Sequence, residues 1–253
     1  MNKKIVFVSG ATSGIGKATS IKFGREGFSV VINGRRRDRL DELKSVLEDM
    51  GCSILSLPFD IMNRDEVQDA VKSMPEEWKH VDVLVNNAGL AVGMEHIDTG
   101  NPDDWDRMID TNLKGLLWLT RALVPSMVKK GRGHIINLGS IAGKEIYENG
   151  NVYCATKHAV DALSRAMRID LLKHGIKVTN VAPGLVETEF SMVRFKGDRE
   201  KAALPYAGMK PLSGDDVADI IYYCATLPEH VNINDVVIMP AAQAGANHVV
   251  RKG

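Results

Sequence analysis

The chain has 253 residues and no net charge, with 32 Lys and Arg balancing 32 Asp and Glu. Such a chain sets up no long-range field to gather nucleic acid or an anionic membrane, so neither partner is expected. Cysteine is scarce. Cys52, Cys154 and Cys224 lie far apart and form no CxxC pair. A disulfide framework and a cysteine zinc site are therefore not expected, and a reducing compartment fits better. The seven histidines are scattered, with no His/Cys/acid cluster, so no metal is expected. No apolar run approaches the ~18 residues that span a bilayer. The opening residues 1–4 lead into too few apolar residues for a secretory signal, which makes a cytoplasmic protein the expectation. Repeats, low-complexity tracts and Gly/Pro/Ser-rich linkers are missing. The expectation is one domain over 1–253, large enough to bury its own core.

The sequence does contain a regular alternation of strand and helix patterns. Residues 5–9 form a short β-branched apolar run ending at glycine, which reads as a buried parallel strand. Residues 16–26 follow with helical spacing, closed by Gly27. Further strands are predicted at 28–33, 53–58, 81–86, 134–138, 177–182 and 236–239. Helices are predicted at 39–50, 65–74, 105–130, 151–174 and 215–226. Repeated βαβ units imply an α/β, Rossmann-type doubly wound parallel sheet with helices on both faces. Residues 190–212 interrupt the alternation, are polar and carry Pro205 and Pro211. A long insertion there is expected to act as a substrate lid.

The loop after the first strand reads Gly10-Ala11-Thr12-Ser13-Gly14-Ile15-Gly16. Glycines there permit a tight turn and let the backbone approach a pyrophosphate, which the next helix attracts with its N-terminus. The spacing is G-x-x-x-G-x-G and not G-x-G-x-x-G, so alone it also fits a plain tight turn. The second strand ends in Asn33-Gly34-Arg35-Arg36-Arg37, where an NAD-preferring fold usually has an acid. Guanidinium groups suit a 2′-phosphate, so NADP(H) is the expected cofactor, with Arg35 and Arg36 the candidate ligands and Arg37 a solvated charge. Asp60 and Ile61 follow the third strand, and Asp60 is a candidate for the adenine amino group or a turn residue. Asn86-Asn87-Ala88-Gly89 follows the fourth, where small residues let a cofactor lie close and Asn87 can hold the turn.

Tyr153 and Lys157 are spaced i, i+4 and share one helix face. A lysine charge beside a tyrosine should stabilise the tyrosinate, lowering the pKa from ~10 and allowing proton transfer with a substrate oxygen. The pair alone would be unremarkable. Joined to Ser9-Gly10-x-x-x-Gly14-x-Gly16, Asn86-Asn87-Ala88-Gly89, Asn112, Ser140 and Pro183-Gly184, it makes this chain resemble the short-chain dehydrogenase/reductase family over residues 4–240. Ser9 stands where that family usually has threonine, and it keeps the hydroxyl. The resemblance implies that Tyr153 is the general acid/base and that Ser140 binds the substrate oxygen. It also implies that Lys157 holds the nicotinamide ribose, and that Asn112 braces a relay water. Pro183, Gly184, Val186 and Thr188 would line the nicotinamide. A homotetramer is implied too, with the helices around Asn112 and Tyr153 pairing between subunits.

The segment 185–198, together with 86–94, 108–115 and 227–234, is similar to a subgroup of that family, the NADP-dependent 3-hydroxy acid dehydrogenases. L-Serine, L-allo-threonine and 3-hydroxypropionate are then the implied type of substrate. A small hydroxy acid needs a cation for its carboxylate. Arg194 is the first candidate because arginine grips carboxylates through two parallel hydrogen bonds, and Lys196 is the second. Tyr147 is a candidate pocket wall. A sulfonate would suit the same clamp, which keeps sulfoacetaldehyde reduction open. A ketoacyl reductase fits less well, since residues 237–252 lack a glycine-rich close and end basic. An NADP(H)-sensing scaffold would usually have lost part of the Tyr/Lys/Ser set. A sugar-nucleotide epimerase would need a longer substrate domain.

Overall fold

The computed structural model describes residues 3–252. Seven strands form one sheet in the order β3-β2-β1-β4-β5-β6-β7. They are β1 Ile5–Val8, β2 Ser29–Gly34, β3 Ile54–Pro58, β4 Val83–Asn86, β5 Gly133–Leu138, β6 Ile176–Pro183 and β7 Asp235–Ile238. Every pairing is parallel. Valine and isoleucine dominate because both faces of a parallel sheet are covered, and β1 and β4 are buried at every residue.

Three helices cover one face: α1 Gly14–Arg25, α2 Arg37–Asp49 and α9 Gly214–Thr226. Phe23, Leu40, Leu43, Leu47, Val217 and Ile221 pack there against Val6, Val30, Ile32 and Val85. The other face carries α3 Arg64–Lys72, α5 Leu116–Lys130 and α6 Asn151–Leu171. Leu116, Leu119, Leu123, Met127, Val160 and Met167 meet Phe7, Val31, Leu84 and Ile135 there. The same strands thus supply alternate residues to two cores, the period-two logic of a strand. Helix starts are locally encoded. Asn63 accepts from the Asp65 and Glu66 amides, and Ser213 with Asp216 forms a capping box.

The helix expected over 105–130 is more structured than its periodicity suggested. It begins earlier, at Pro102, as α4 Pro102–Ile109, with Asn101 capping it. A π-helical turn, Asp110–Gly115, then joins it to α5. The extra residue in that turn breaks the 3.6-residue rhythm, and such widened turns cluster at functional sites. The 190–212 segment is not plain loop. It holds the short helices α7 Phe190–Arg194 and α8 Arg199–Ala203 between β6 and α9.

The chain runs from β3 at one edge back to β4 beside β1, so the connections leave β1 and β4 in opposite directions. Such a switch point opens a crevice beyond the strand C-termini, where α/β sheets bind ligands.

Candidate active site

The crevice is a cleft of about 790 Å³. Its walls bring together Gly10, Thr12, Ser13, Gly14, Ile15, Arg35, Arg36, Asp60, Ile61, Asn87, Ala88 and Gly89 with Tyr147, Tyr153, Lys157, Pro183, Gly184, Val186, Thr188 and Arg194. Arg35 and Asp60 meet at one end, and Tyr147, Tyr153 and Arg194 gather at the other. Of the expected site residues, Gly16, Asn112 and Ser140 stand just behind the wall.

The glycine loop suits a diphosphate for local reasons. Gly10 has φ +64°, and a methyl there would lie 2.8 Å from Ala88 Cα. At Gly16 a methyl would lie 2.3 Å from the Gly10 carbonyl and 2.4 Å from Asn87 Nδ2. Asn87 Nδ2 donates to the Ser9 and Gly10 carbonyls at 2.9 and 3.0 Å, tying the β1 and β4 loops together. Ser9 Oγ accepts from the Asn87 and Ala88 amides at 3.1 and 3.0 Å, so serine performs the hydroxyl's task. Ser13 stands at the N-cap of α1 in extended conformation, yet its side chain caps nothing. The first amides of α1 are thus left to an anionic ligand.

At the adenosine end Arg36 Nη2 donates to Thr12 Oγ1 at 3.0 Å and Ser13 Oγ at 3.2 Å. Arg35 lies 3.5 Å from Asp60. Asp60 also accepts from the Met62 amide at 3.0 Å. It serves here as a turn residue and an arginine partner. Arg37 is exposed in the first turn of α2.

At the other end α6 presents Tyr153 and Lys157 on one buried face. Their electrostatics depart from expectation. Burial pushes the Tyr153 phenol above its ordinary value and Tyr147 adds to this, while Ser140 and Arg194 pull it partly back. Lys157 is not a cause. Its Nζ sits 5.9 Å from the Tyr153 ring centroid and donates to the Leu138 carbonyl at 2.7 Å. Burial brings the Lys157 ammonium down to about 8. The expected depression of the tyrosine is therefore reversed among the protein's own groups, because desolvation of the phenolate outweighs a cation held off by a carbonyl.

Asn112 lies in the π-helical turn and is 2 % exposed. Its amide donates to the Leu90 carbonyl and Thr156 Oγ1 at 2.8 and 3.1 Å, and its oxygen accepts the Leu90 amide at 2.8 Å. Both side-chain hydrogens are committed to protein, so the side chain clamps the β4 loop to α6 and has none left for a water. Ser140 Oγ accepts from the Ala142 amide at 3.1 Å and faces Tyr153.

Arg194 ends α7 over this centre. Its guanidinium carbon lies 5.2 Å from the Tyr153 ring, 5.3 Å from Tyr147 and 6.0 Å from Phe190. One terminal nitrogen donates to the Tyr147 hydroxyl. Its Nε is buried without a partner. Lys196, the second candidate cation, is instead paired with Asp104 at 2.6 Å. Sequence reasoning missed three residues here. Phe190 packs 5.6 Å from the Tyr153 ring, Gln243 accepts the Leu185 amide at 2.8 Å, and Glu189 pairs with Arg36 at 3.0 Å. No local signal marks them, because each finds its partner through the fold.

A glycine-lined crevice at the switch point, arginines at the β2 end and a Tyr/Lys/Ser/Asn set across from them define a nucleotide-dependent oxidoreductase of the Rossmann class. Comparison with known proteins agrees. The short chain dehydrogenase family model matches residues 4–199, and the chain belongs to that family. It is 46% identical over 249 residues to an NADP-dependent 3-hydroxy acid dehydrogenase of Salmonella typhi, covering 98% of this chain and 99% of the relative. A Schizosaccharomyces pombe NADP-dependent 3-hydroxy acid dehydrogenase is 40% identical over 254 residues, covering 100% of this chain and 98% of the relative. The closed form of a serine dehydrogenase complexed with NADP+ superposes with a TM-score of 0.92 at 46% identity, covering 98% of this chain and all of that one. The protein is thus an NADP-dependent dehydrogenase related to the 3-hydroxy acid and serine dehydrogenases. Among the described residues no helix is long and apolar enough to cross a membrane.

Proposed function

We propose that this protein interconverts a small 3-hydroxy acid, of the L-serine, L-allo-threonine or 3-hydroxypropionate type, with its carbonyl form. NADP(H), when bound, supplies the hydride acceptor or donor for the substrate carbon. Tyr153 exchanges the proton on the substrate oxygen, and Ser140 holds that oxygen in line. Lys157 binds the cofactor ribose, and Asn112 positions the Leu90 backbone and α6 so that this set stays aligned. Because burial keeps Tyr153 protonated, the residue is set to donate in carbonyl reduction. In oxidation it takes the hydroxyl proton as the carbon–hydrogen bond breaks. Arg36, with Thr12 and Ser13, receives the 2′-phosphate, and residues 190–212 form the lid.

One observation carries the substrate class. Arg194 is a guanidinium stacked beside the reacting tyrosine whose buried Nε lacks a partner. A buried donor without an acceptor is costly, and a substrate carboxylate would satisfy it. A sulfonate offers the same oxygens, so sulfoacetaldehyde reduction is the second reading. Steady-state kcat/KM for the three hydroxy acids with NADP+, beside sulfoacetaldehyde with NADPH, decides between them. Wild type should prefer a hydroxy acid, and Arg194→Ala should lose mainly that preference. If sulfoacetaldehyde wins by about tenfold, ~1.4 kcal/mol of transition-state preference, the hydroxy-acid reading is wrong. If uncharged alcohols react as well as acids, the clamp itself is wrong. The family reading also carries a homotetramer in the cytoplasm, which sedimentation and cell fractionation would check.

A further inference from the structure

The adenosine end of the cleft already holds an anion of the protein's own. Arg36 Nη1 donates to Glu189 Oε2 at 3.0 Å, and Arg39 lies 3.8 Å from the other carboxylate oxygen. The remaining terminal nitrogen of Arg36 is shared by Thr12 and Ser13. A guanidinium, a second arginine and two hydroxyls are what a phosphomonoester would use, so Glu189 stands where such a group would bind.

Glu189 does not belong to that end of the molecule by chain order. It lies 153 residues beyond Arg36 and immediately precedes α7. Its carbonyl accepts the Val193 amide at 3.1 Å. That short helix carries Phe190 against the Tyr153 ring and Arg194 above it, and the Arg194 carbonyl accepts the Gly93 amide at 3.0 Å. The six residues 189–194 therefore join the arginine at the cofactor's far end to the guanidinium at the substrate end.

We infer that Glu189 is a built-in competitor for the cofactor's 2′-phosphate, and that its displacement from Arg36 releases α7 with Phe190 and Arg194. The inference rests on Arg36 being the 2′-phosphate ligand. A doubly charged phosphate and a carboxylate cannot share one guanidinium without repulsion, so the phosphate drives Glu189 off. A dinucleotide without that phosphate leaves the Arg36–Glu189 pair intact. The pair is exposed at both ends, 44% and 43%, so it holds weakly and yields readily. Glu189 thereby makes the substrate segment respond to which cofactor is present, in addition to the direct grip of Arg36.

The test uses nucleotide-stripped full-length protein and two probes, adenosine 2′,5′-bisphosphate and adenosine 5′-monophosphate. Calorimetry reads affinity, and hydrogen exchange reads the amides of 190–194. In wild type the bisphosphate should raise exchange in α7 and the monophosphate should not. Glu189→Gln should bind the bisphosphate about threefold to fivefold tighter, with monophosphate affinity unchanged, as loss of an exposed ion pair allows. Its α7 should exchange fast from the start and ignore the probes. Glu189→Asp, which keeps the charge, should stay near wild type. Equal bisphosphate affinity in wild type and Glu189→Gln overturns the inference, as does an α7 response that is the same for both probes. Arg36→Ala separates the underlying reading, since it should abolish the preference for bisphosphate over monophosphate. If that preference survives, Arg36 is not the phosphate ligand and both ideas fall.

Discussion

Replacing Lys157 with methionine should change how stability depends on pH. Lys157 is 7 % exposed, its ammonium donates only to the Leu138 carbonyl, and burial lowers its pKa from 10.5 to about 8. Between those values the unfolded chain holds the lysine proton and the folded chain has released it. Stability therefore rises with pH across that window, and below about 8 the full penalty applies. A difference of roughly 2.5 pKa units corresponds to about 3 kcal/mol. Raising the pH from 7 to 10 should restore about 2 to 3 kcal/mol to wild type and none of it to Lys157→Met. The methionine variant also loses the bond to Leu138, but that loss is equal at both pH values and cancels. Tyr153, raised by burial, loses some stability as the unfolded phenol begins to ionise near pH 10, but both proteins carry it and the term cancels between them. Urea unfolding of both proteins at pH 7 and pH 10, without nucleotide, measures the four stabilities. Parallel responses of the two proteins to pH would refute the reasoning, showing that Lys157 keeps an ordinary ammonium despite its burial.

Tyr153→Phe should lower kcat by about 10²- to 10⁴-fold while leaving NADP+ affinity intact by calorimetry. A cellular phenotype that survives this change would point to a sensor and not an enzyme. Gly16→Ala drives a methyl into the Gly10 carbonyl and Asn87, so NADP+ binding should be lost, and a thermal melt should show whether the loop or the whole fold gives way. His134 is buried with its Nε2 2.7 Å from Thr179 Oγ1, and burial drops its pKa from 6.5 to about 3. Its neutral form is favoured, so stability should fall as pH drops from 6.5 towards 3. At pH 5 the cost is about 2 kcal/mol, absent in His134→Gln when the two are compared by urea unfolding. Asp161 accepts from Lys144 at 2.6 Å, Arg165 at 2.7 Å and Asn180 at 3.1 Å. Asp161→Ala should therefore cost about 2 to 3 kcal/mol, towards the lower end of buried pairs because Arg165 reaches solvent.

Much of the architecture was legible because it is written locally. Strand and helix periods, the glycine loop and the Tyr153/Lys157 spacing each depend on a few adjacent residues. The early start of α4 is also written locally, in Asn101 and Pro102, though apolar periodicity alone overlooks it, whereas the π-helical turn around Asn112 was not legible. A π turn shifts the apolar pattern by about one residue, and in a 29-residue stretch rich in apolar side chains that break does not stand out. The different surroundings of Arg194 and Lys196 were equally hidden. Two residues apart on the same segment, they look equivalent until the fold sets Asp104 against one and three aromatic rings against the other.

The sign of the Tyr153 shift shows why spacing alone is insufficient. An i, i+4 pair says that two side chains share a face, and it says nothing about how far that face is from water. At the surface the lysine charge would dominate and lower the tyrosine. Here both groups are buried, each charged form loses its hydration, and both residues move towards neutrality. The pair therefore starts from a protonated phenol and a lysine balanced near pH 8, a state suited to donating a proton. Forming the tyrosinate needs positive charge that outweighs its desolvation, and Arg194 already pulls in that direction from across the ring. Arg194→Ala should accordingly raise the pH at which NADP+-linked oxidation reaches half its maximal kcat, in addition to weakening acid substrates. Oxidation of an uncharged alcohol isolates the first effect, because no carboxylate is there to lose. An unchanged pH profile with that alcohol would confine Arg194 to substrate binding.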